Sequence, residues 1–220
     1  NGALFLKPKL RHMTPVNVRV PVVNEDRCDG CGVCGEACRF NAIAVIKGKV
    51  IIFPEVCHYC GACMLACPRG AITELDREIG VVEADCEDLF LQGRLNIGEP
   101  SAIAIIRQMK QQMRSDIPVI LDCAPGASCT VVQTIDGCDY CLLVTEPTPF
   151  GLHDLKIAAA LVKQMGIPFG VVVNKAMRED QSVQEYCGRE GIEVLLEIPY
   201  MREIAEGYSN GELHVHKDET

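Results

Sequence analysis

The sequence of 220 residues is short of aromatic side chains, of positive charge and of long apolar runs. Tryptophan is absent, and aromatic residues make up 5% of the chain. Lysine and arginine number 21 against 30 aspartates and glutamates, so the formal charge is −9 and we expect no nucleic acid partner. No apolar run approaches the length of a membrane span, and we see no signal peptide at the start. We therefore expect a soluble, cytoplasmic protein without a membrane span.

Cysteine, in contrast, is abundant, with 14 residues. Eight of them form two copies of the pattern C-x2-C-x2-C-x3-C, which are Cys28, Cys31, Cys34 and Cys38 in the first run and Cys57, Cys60, Cys63 and Cys67 in the second. This spacing is typical of bacterial ferredoxins with two [4Fe–4S] clusters, in which the fourth cysteine of each run ligates the other run's cluster. The predicted ligand sets are therefore Cys28, Cys31, Cys34 and Cys67 for one cluster, and Cys38, Cys57, Cys60 and Cys63 for the other.

Two other uses of these cysteines stay open, namely structural zinc sites and a disulfide framework. A zinc site needs four ligands, usually as two C-x2-C pairs with a longer spacer, so the third and fourth cysteines of each run would be surplus. Reduced thiols are expected in the cytosol, which disfavours disulfides. Arg39 stands where the first run would carry proline, but proline is not a ligand. Iron–sulfur clusters are the favoured interpretation.

The chain is about three times longer than a two-cluster ferredoxin module requires, which leaves room for a second domain. Hydrophobic residues make up 48% and charged residues 23%, values that are typical of a globular protein. Around the cysteine runs, alternating valines interrupted by Pro21 predict an edge strand over 16–22. A short strand is predicted over 50–53, and a closing hairpin is predicted from 71–75 and 80–83.

From Pro100 onward, short apolar segments alternate with helical patterns. Strands are predicted over 117–121, 140–144, 169–173 and 193–198, and helices over 101–114, 152–165 and 179–189. This alternation is typical of a parallel sheet in a doubly wound α/β domain. Ligands of such sheets bind at the carboxyl ends of the strands. The candidate binding loops are therefore 122–126, 146–151 and 174–175.

Taken in order, these loops resemble those of MinD/Mrp-class P-loop ATPases, specifically the members with an inserted two-cluster ferredoxin domain. The run Asp122-x-x-Pro125-Gly126 is similar to the family's Walker B and switch II segment, and 144–154 is similar to a segment particular to the ferredoxin-bearing branch. The resemblance implies that Asp122 helps to hold Mg²⁺ and that the Gly126 amide faces the terminal phosphate. Asn174 resembles the family's base-recognising asparagine. The implied cofactors are two [4Fe–4S] clusters and Mg-ATP.

The P-loop signature G-x4-G-K-[ST] is missing from this sequence. The Gly48-Lys49 pair is followed by valine and lies between the cysteine runs. The resemblance implies a chain that starts just after the P-loop block, and we expect ATPase activity only if that segment is supplied. The predicted domains are an incomplete, MinD-like α/β nucleotide-binding domain over 1–20 and 84–220, without the P-loop strand, and an α+β two-cluster insert over 21–83.

Three functions stay open. The favoured one is an iron–sulfur electron-transfer protein whose clusters are linked to the ATP-binding domain, so that the ATP state gates electron delivery. The second is a non-catalytic, ferredoxin-type electron-transfer subunit with the α/β domain as a docking scaffold. The third is a cluster assembly or transfer factor, which crossed cysteine ligation disfavours because such sites retain their clusters. The expected partner is a redox protein, and a homodimer is a candidate assembly.

Overall fold

The computed structural model describes residues 2–86, 89–177 and 179–212. The chain divides into two compact units according to its internal contacts. The cysteine unit is Pro8–Val119, and the parallel-sheet unit is Asn1–Lys7 together with Ile120–Thr220. Each unit has an apolar core of its own.

Short helices and strands follow one another along the chain. In chain order the helices are α1 (Gly2–Leu6), α2 (Val33–Ala37), α3 (Ala62–Ala66), α4 (Ile103–Gln112), α5 (Cys129–Ile135), α6 (Pro149–Met165), α7 (Ser182–Glu190) and α8 (Arg202–Ser209). The strands are β1 (His12–Val23), β2 (Ile43–Ile46), β3 (Lys49–Ile52), β4 (Ile72–Ala84), β5 (Leu91–Leu95), β6 (Cys141–Thr145), β7 (Phe169–Ala176) and β8 (Val194–Pro199). Within the described ranges, no helix combines the length and the apolar character that a membrane crossing requires.

The largest sheet of the cysteine unit is antiparallel and has β4 between β1 and β5. Its edge strand β1 confirms the strand that the valine pattern predicted. Val16 and Val18 of β1 pack with Ile79 and Val82 of β4 and with Ile105 of α4. The helix predicted over 101–114 is thereby confirmed as α4, which packs on this antiparallel sheet.

The hairpin predicted from 71–75 and 80–83 is wrong, because one strand of 13 residues, β4, runs through both segments. The residues between them stay extended since they pair with β1, where Arg77 lies opposite Val18. Gly80 allows β5 to approach closely, because a β-carbon at this position would lie 2.2 Å from the carbonyl oxygen of Arg94. Pairing with distant strands therefore decides the conformation of this segment.

A second antiparallel pair, β2 and β3, lies between the cysteine runs and confirms the strand predicted over 50–53. A small core nearby joins Cys34 and Cys63 with Ile43 and Ile72. These are equivalent residues of the two runs, since Cys34 and Cys63 are the third cysteines and each isoleucine lies five residues after a fourth cysteine. The two runs are therefore packed around an approximate twofold axis.

In the parallel-sheet unit, β6, β7 and β8 are parallel and neighbours in this order. These strands and the helices α6 and α7 confirm the predicted alternation after residue 140. One face of the sheet is covered, because Val171 and Val173 of β7 pack with Leu155 of α6 and Val183 of α7. Helix α6 begins at Pro149, and the Thr148 hydroxyl accepts a hydrogen bond from the Gly151 amide at 3.0 Å.

The other face of the parallel sheet exposes apolar side chains. Leu142 and Val144 of β6 are 61% and 65% exposed, and Leu196 of β8 is 55% exposed. The strand predicted over 117–121 is wrong, since this segment has no regular structure and Ile120 is 94% exposed. A strand needs a neighbour for its backbone groups, and in the described sheet β6 pairs with β7 alone. Parallel sheets are normally covered on both faces, and the described residues cover one face of this sheet.

The boundaries of the two units differ from the predicted domains. The prediction separated an insert over 21–83 from an α/β domain over 1–20 and 84–220. The internal contacts instead place Pro8–Val119 in one unit. The reason is that β1 pairs with β4 along its whole length and that α4 completes the core of the same sheet. Segments on both sides of the predicted insert therefore belong to the unit that holds the cysteine runs.

Candidate metal centre

The eight cysteines of the two runs lie around two cavities. Cavity A has a volume of about 300 Å³ and cavity B one of about 350 Å³, and both volumes include space that is open to solvent. The cysteines that line cavity A are Cys28, Cys31, Cys34 and Cys67. Those that line cavity B are Cys38, Cys57, Cys60 and Cys63. Each cavity takes three cysteines from one run and the fourth from the other run, which is the grouping that crossed ligation requires.

Tight turns bring the first three cysteines of each run to one cavity. Gly32 and Gly61 follow the second cysteines and have φ angles of 86° and 72°, which a residue with a β-carbon adopts only at a cost. The five-residue helices α2 and α3 start after these glycines, and Cys38 and Cys67 are their C-terminal caps. The chain leaves each helix at the fourth cysteine, which then lines the opposite cavity.

Backbone amides donate hydrogen bonds to the sulfurs of the fourth cysteines. Ala42 N–H donates to Cys38 Sγ and Ala71 N–H to Cys67 Sγ, both at 3.3 Å. The bond from Ala71 is the main reason that the pKa of Cys67 is lowered. Burial has the opposite effect and raises the pKa of three other thiols, those of Cys34, Cys57 and Cys63. Metal binding requires thiolates, so loading of these buried sites releases protons.

The arrangement of the cysteines fits an iron–sulfur cluster better than a single metal ion. Among the described residues, no group of three or more His, Cys, Asp or Glu side chains is placed to hold one ion. A tetrahedral zinc ion would hold four sulfurs about 2.3 Å from one centre. In a [4Fe–4S] cluster, each of the four thiolates binds a different iron, so the sulfurs surround a larger volume. Four cysteines that line a cavity without converging on one point meet that requirement.

The two cavities differ in the side chains that accompany the cysteines. Asp29 and Arg69 line cavity A, and Arg69 Nε donates to Asp29 Oδ2 at 2.8 Å, which lowers the pKa of Asp29. The equivalent residues at cavity B are His58 and Phe40, whose rings are stacked with centroids 3.9 Å apart. Both pairs join the residue after a first cysteine to the residue two positions after a fourth cysteine. An ion pair at one cavity thus corresponds to an aromatic stack at the other.

A polar trio beside cavity B was missed by the sequence analysis. Tyr59 lines this cavity and has a φ angle of 56° at the position where the first run has Gly30. Its hydroxyl donates to Glu99 Oε2 at 2.7 Å and accepts from Arg77 Nη2 at 2.8 Å. Burial, together with the bond to Glu99, raises the pKa of Tyr59. The replacement of a glycine by tyrosine at equivalent positions was the signal available in the sequence.

The predicted nucleotide residues lie in the parallel-sheet unit and line neither cavity. Asp122, Pro125 and Gly126 belong to the irregular segment before α5, and Gly126 has a φ angle of 93°. Asn174 lies within β7 and not after it, because the strand continues to Ala176. The contribution of these four residues to nucleotide binding stays a prediction.

Asn174 has charged neighbours at the carboxyl end of the sheet. Its Oδ1 accepts a hydrogen bond from the Lys175 amide at 3.0 Å. Lys175 Nζ lies 2.8 Å from Glu146 Oε1, and this bond raises the pKa of Lys175. Glu146 directly follows β6, so the structure brings two of the three predicted loops together. The sequence analysis named both loops but not this ion pair.

Residues 21–44 and 50–73 match the family model of the 4Fe-4S binding domain, once for each cysteine run. The chain carries a ferredoxin-type 4Fe-4S domain with two repeats. Two repeats support [4Fe–4S] clusters and are consistent with a count of two.

The chain is also similar to three proteins of Methanocaldococcus jannaschii. It is 29% identical over 190 residues to uncharacterized protein MJ0579, and the match covers 86% of this chain and 56% of that protein. It is 31% identical over 157 residues to uncharacterized protein MJ0578, and this match covers 70% of the chain and 55% of that protein. It is 34% identical over 109 residues to uncharacterized ATP-binding protein MJ0823, and this match covers 48% of the chain and 42% of that protein. The chain spans about half the length of the curated relatives it matches.

Proposed function

We propose that this protein transfers electrons through two [4Fe–4S] clusters, one in each cavity. Cys28, Cys31, Cys34 and Cys67 ligate cluster A, and Cys38, Cys57, Cys60 and Cys63 ligate cluster B. The observation that carries the proposal is the division of the eight cysteines into two groups of four around separate cavities. We expect the protein to work in the cytoplasm and to pass electrons to a redox protein.

Each bound cluster supplies one-electron chemistry. The chain's own contribution is to hold the cluster in one geometry and to stabilise its negative charge. The amides of Ala42 and Ala71 point hydrogen bonds at the sulfurs of Cys38 and Cys67, and these bonds favour the thiolate form. Burial of the third cysteines restricts the access of water to the inner side of each site. Sites that are tied together by crossed ligands favour retention of the clusters over transfer to another protein.

The test is anaerobic purification followed by iron, sulfide and zinc analysis. We expect about eight irons and about eight sulfides per chain, as two [4Fe–4S] clusters require, and an electron paramagnetic resonance (EPR) spectrum of two interacting clusters after reduction. Replacement of either second cysteine, Cys31 or Cys60, by alanine should leave one cluster intact. Stoichiometric zinc in place of iron would overturn the proposal.

We further propose that the parallel-sheet unit forms part of an ATP-binding domain of the MinD/Mrp type, completed by a P-loop segment that this sequence does not contain. Three observations support this proposal. A relative is named an ATP-binding protein, and the chain spans 42% of that relative. Asn174 lies beside the Glu146–Lys175 ion pair at the carboxyl end of the sheet. The exposed face with Leu142 and Val144 suits a further covering layer.

The ATP proposal is tested on the full-length product of the gene that encodes this chain. If the nucleotide state gates electron delivery, Mg-ATP should bind and change the rate at which a reduced protein passes electrons to an acceptor. Replacement of Asn174 by alanine should weaken ATP binding and leave the iron content unchanged. A full-length protein with both clusters but without nucleotide binding would instead support the scaffold role of the parallel-sheet unit.

A further inference from the structure

The two cavities have different electrostatic surroundings, although their cysteine ligands are equivalent. Cavity A is lined by both members of the Asp29–Arg69 ion pair, whose side chains are 39% and 64% exposed. Cavity B is lined by no Asp, Glu, Lys or Arg among the described residues. Three charged side chains lie beside residues that line cavity B. Glu74 Oε1 is 3.4 Å from the position that a β-carbon of Gly61 would take, and Tyr59 contacts both Arg77 and Glu99.

The charges of the trio are more deeply buried than those of cavity A. The side chains of Arg77 and Glu99 are 31% and 12% exposed, and Arg77 Nη2 lies 2.5 Å from Glu99 Oε2. Burial lowers the effective dielectric, so these charges act more strongly on their surroundings than an exposed pair of the same size. Each side chain of the trio is therefore placed to influence a neighbouring redox group.

Both charged members of the trio contact Tyr59. The guanidinium carbon of Arg77 is 5.6 Å from the centroid of the Tyr59 ring, and Tyr59 stands between the ligands Cys57 and Cys60. Arg77 and Glu99 both contact the Tyr59 hydroxyl, at 2.8 and 2.7 Å. Arg77 Nε is buried and has no hydrogen-bond partner among the described residues. The Glu99 carboxylate therefore does not accept hydrogen bonds from every nitrogen of the guanidinium.

We propose that the trio tunes the reduction potential of cluster B, with Arg77 raising this potential and Glu99 lowering it. Reduction adds one negative charge to a cluster, so a partly buried positive charge nearby stabilises the reduced state and a negative charge nearby destabilises it. The pair at cavity A is more exposed, so solvent screens its charges more strongly. This inference rests on the proposed function, since it requires both clusters.

The test is a redox titration monitored by EPR on the anaerobically purified full chain. Iron analysis first establishes that both clusters are loaded, and the Cys31→Ala and Cys60→Ala variants assign each reduction step to a cluster. Arg77→Gln should lower the potential of cluster B and leave that of cluster A unchanged. Glu99→Gln should raise the potential of cluster B, because it leaves the charge of Arg77 uncompensated. Arg77→Lys keeps the charge and should shift the potential less than Arg77→Gln.

Arg19→Gln is the matched control. Arg19 lies on β1, pairs with Asp76 and is 71% exposed, so its replacement removes the same formal charge without a buried contact to cavity B. Both potentials should stay as in the unmodified protein. If the Arg77→Gln variant does not load cluster B, the test rests on Glu99→Gln, in which the potential of cluster B should rise.

The outcomes separate the two proposals. An unmodified protein without two clusters contradicts the proposed function itself. With both clusters present, an unchanged potential of cluster B in both Arg77→Gln and Glu99→Gln overturns the role of the trio. A shift of equal size in the Arg19→Gln control would show that total charge, and not the position of Arg77, sets the potential.

Discussion

The cysteine unit and the parallel-sheet unit bury their apolar side chains in different ways. In the parallel-sheet unit, Val171, Val173 and Val183 have no exposed surface and form one core between the sheet and two helices. The cysteine unit has a comparable core under α4, but around the two cavities the buried residues are few and include Cys34 and Cys63 themselves. Here the helices α2 and α3 have five residues each.

The difference concerns what stabilises each region. Helices of five residues are too short to be stable alone, and a small core supplies little hydrophobic free energy. Metal binding that occurs only in the folded state adds its free energy to folding. We therefore expect the region around the cavities to depend on bound clusters for its stability, and the parallel sheet to depend on its aliphatic core. The predictions below test that difference, from the largest expected effect to the smallest.

Removal of the clusters should unfold one region and spare the other. After treatment with an oxidant and a chelator, we expect amide hydrogens over 28–72 to lose about 100-fold or more of their protection, since 1.4 kcal/mol of lost stability is a factor of ten. Amides of β7 should keep their protection. Hydrogen exchange measured by mass spectrometry resolves the two segments. Equal loss in both, or no loss over 28–72, would contradict the proposed difference.

Two glycines of the first cysteine run should respond differently to alanine. Both Gly30 and Gly32 have positive φ, at 70° and 86°, so each replacement introduces backbone strain of about 1–3 kcal/mol. At Gly30 the new β-carbon would also lie 2.4 Å from the carbonyl oxygen of Gly48, whereas at Gly32 nothing lies within 4 Å. We expect Gly30→Ala to lower the thermal midpoint further and to reduce iron loading. Equal effects of the two variants would show that the close approach to Gly48 is unimportant.

A smaller, pH-dependent effect is expected in the parallel-sheet unit. Lys163 of α6 lies 2.9 Å from Glu190 of α7, and its hydrogen bond lowers the pKa of Glu190 below the ordinary value of 4.5. A lowered pKa in the folded state contributes stability above the unfolded pKa, and that stability is lost as the pH falls through the folded value. Lys163→Met should therefore be slightly less stable than the unmodified protein at pH 7. The difference should vanish in acid, as denaturation midpoints at both pH values would show.

Local patterns in the sequence predicted much of the fold. The cysteine spacing led to the two ligand sets, and the alternation after residue 140 led to β6, β7 and β8 with their helices. The wrong predictions concern segments whose conformation depends on distant parts of the chain. Residues 117–121 have the composition of a strand but pair with no described strand, and β4 stays extended through 76–79 because β1 lies beside it. Neither fact is contained in a local window of sequence.

Part of the candidate site was also beyond the sequence analysis. The proposed cluster ligands could be named because the chemistry of a cluster fixes the spacing of its cysteines. Tyr59, Arg77 and Glu99 could not, because they are separated by 18 and 22 residues and meet only after β4 has paired with its neighbours. The same applies to the Glu146–Lys175 ion pair, because Glu146 follows β6 and Lys175 lies near the end of β7. Groups that assemble through tertiary structure leave no regular spacing.

Crossed ligation of the two clusters is tested most directly by a pair of double variants analysed for iron and by EPR. Cys31→Ala/Cys67→Ala removes two ligands from cavity A and none from cavity B. We expect this variant to retain one intact [4Fe–4S] cluster with about four irons. Cys31→Ala/Cys38→Ala removes one ligand from each cavity, and we expect it to retain no intact cluster with four cysteine ligands. The reverse result, an intact cluster in the second variant and none in the first, would contradict the account.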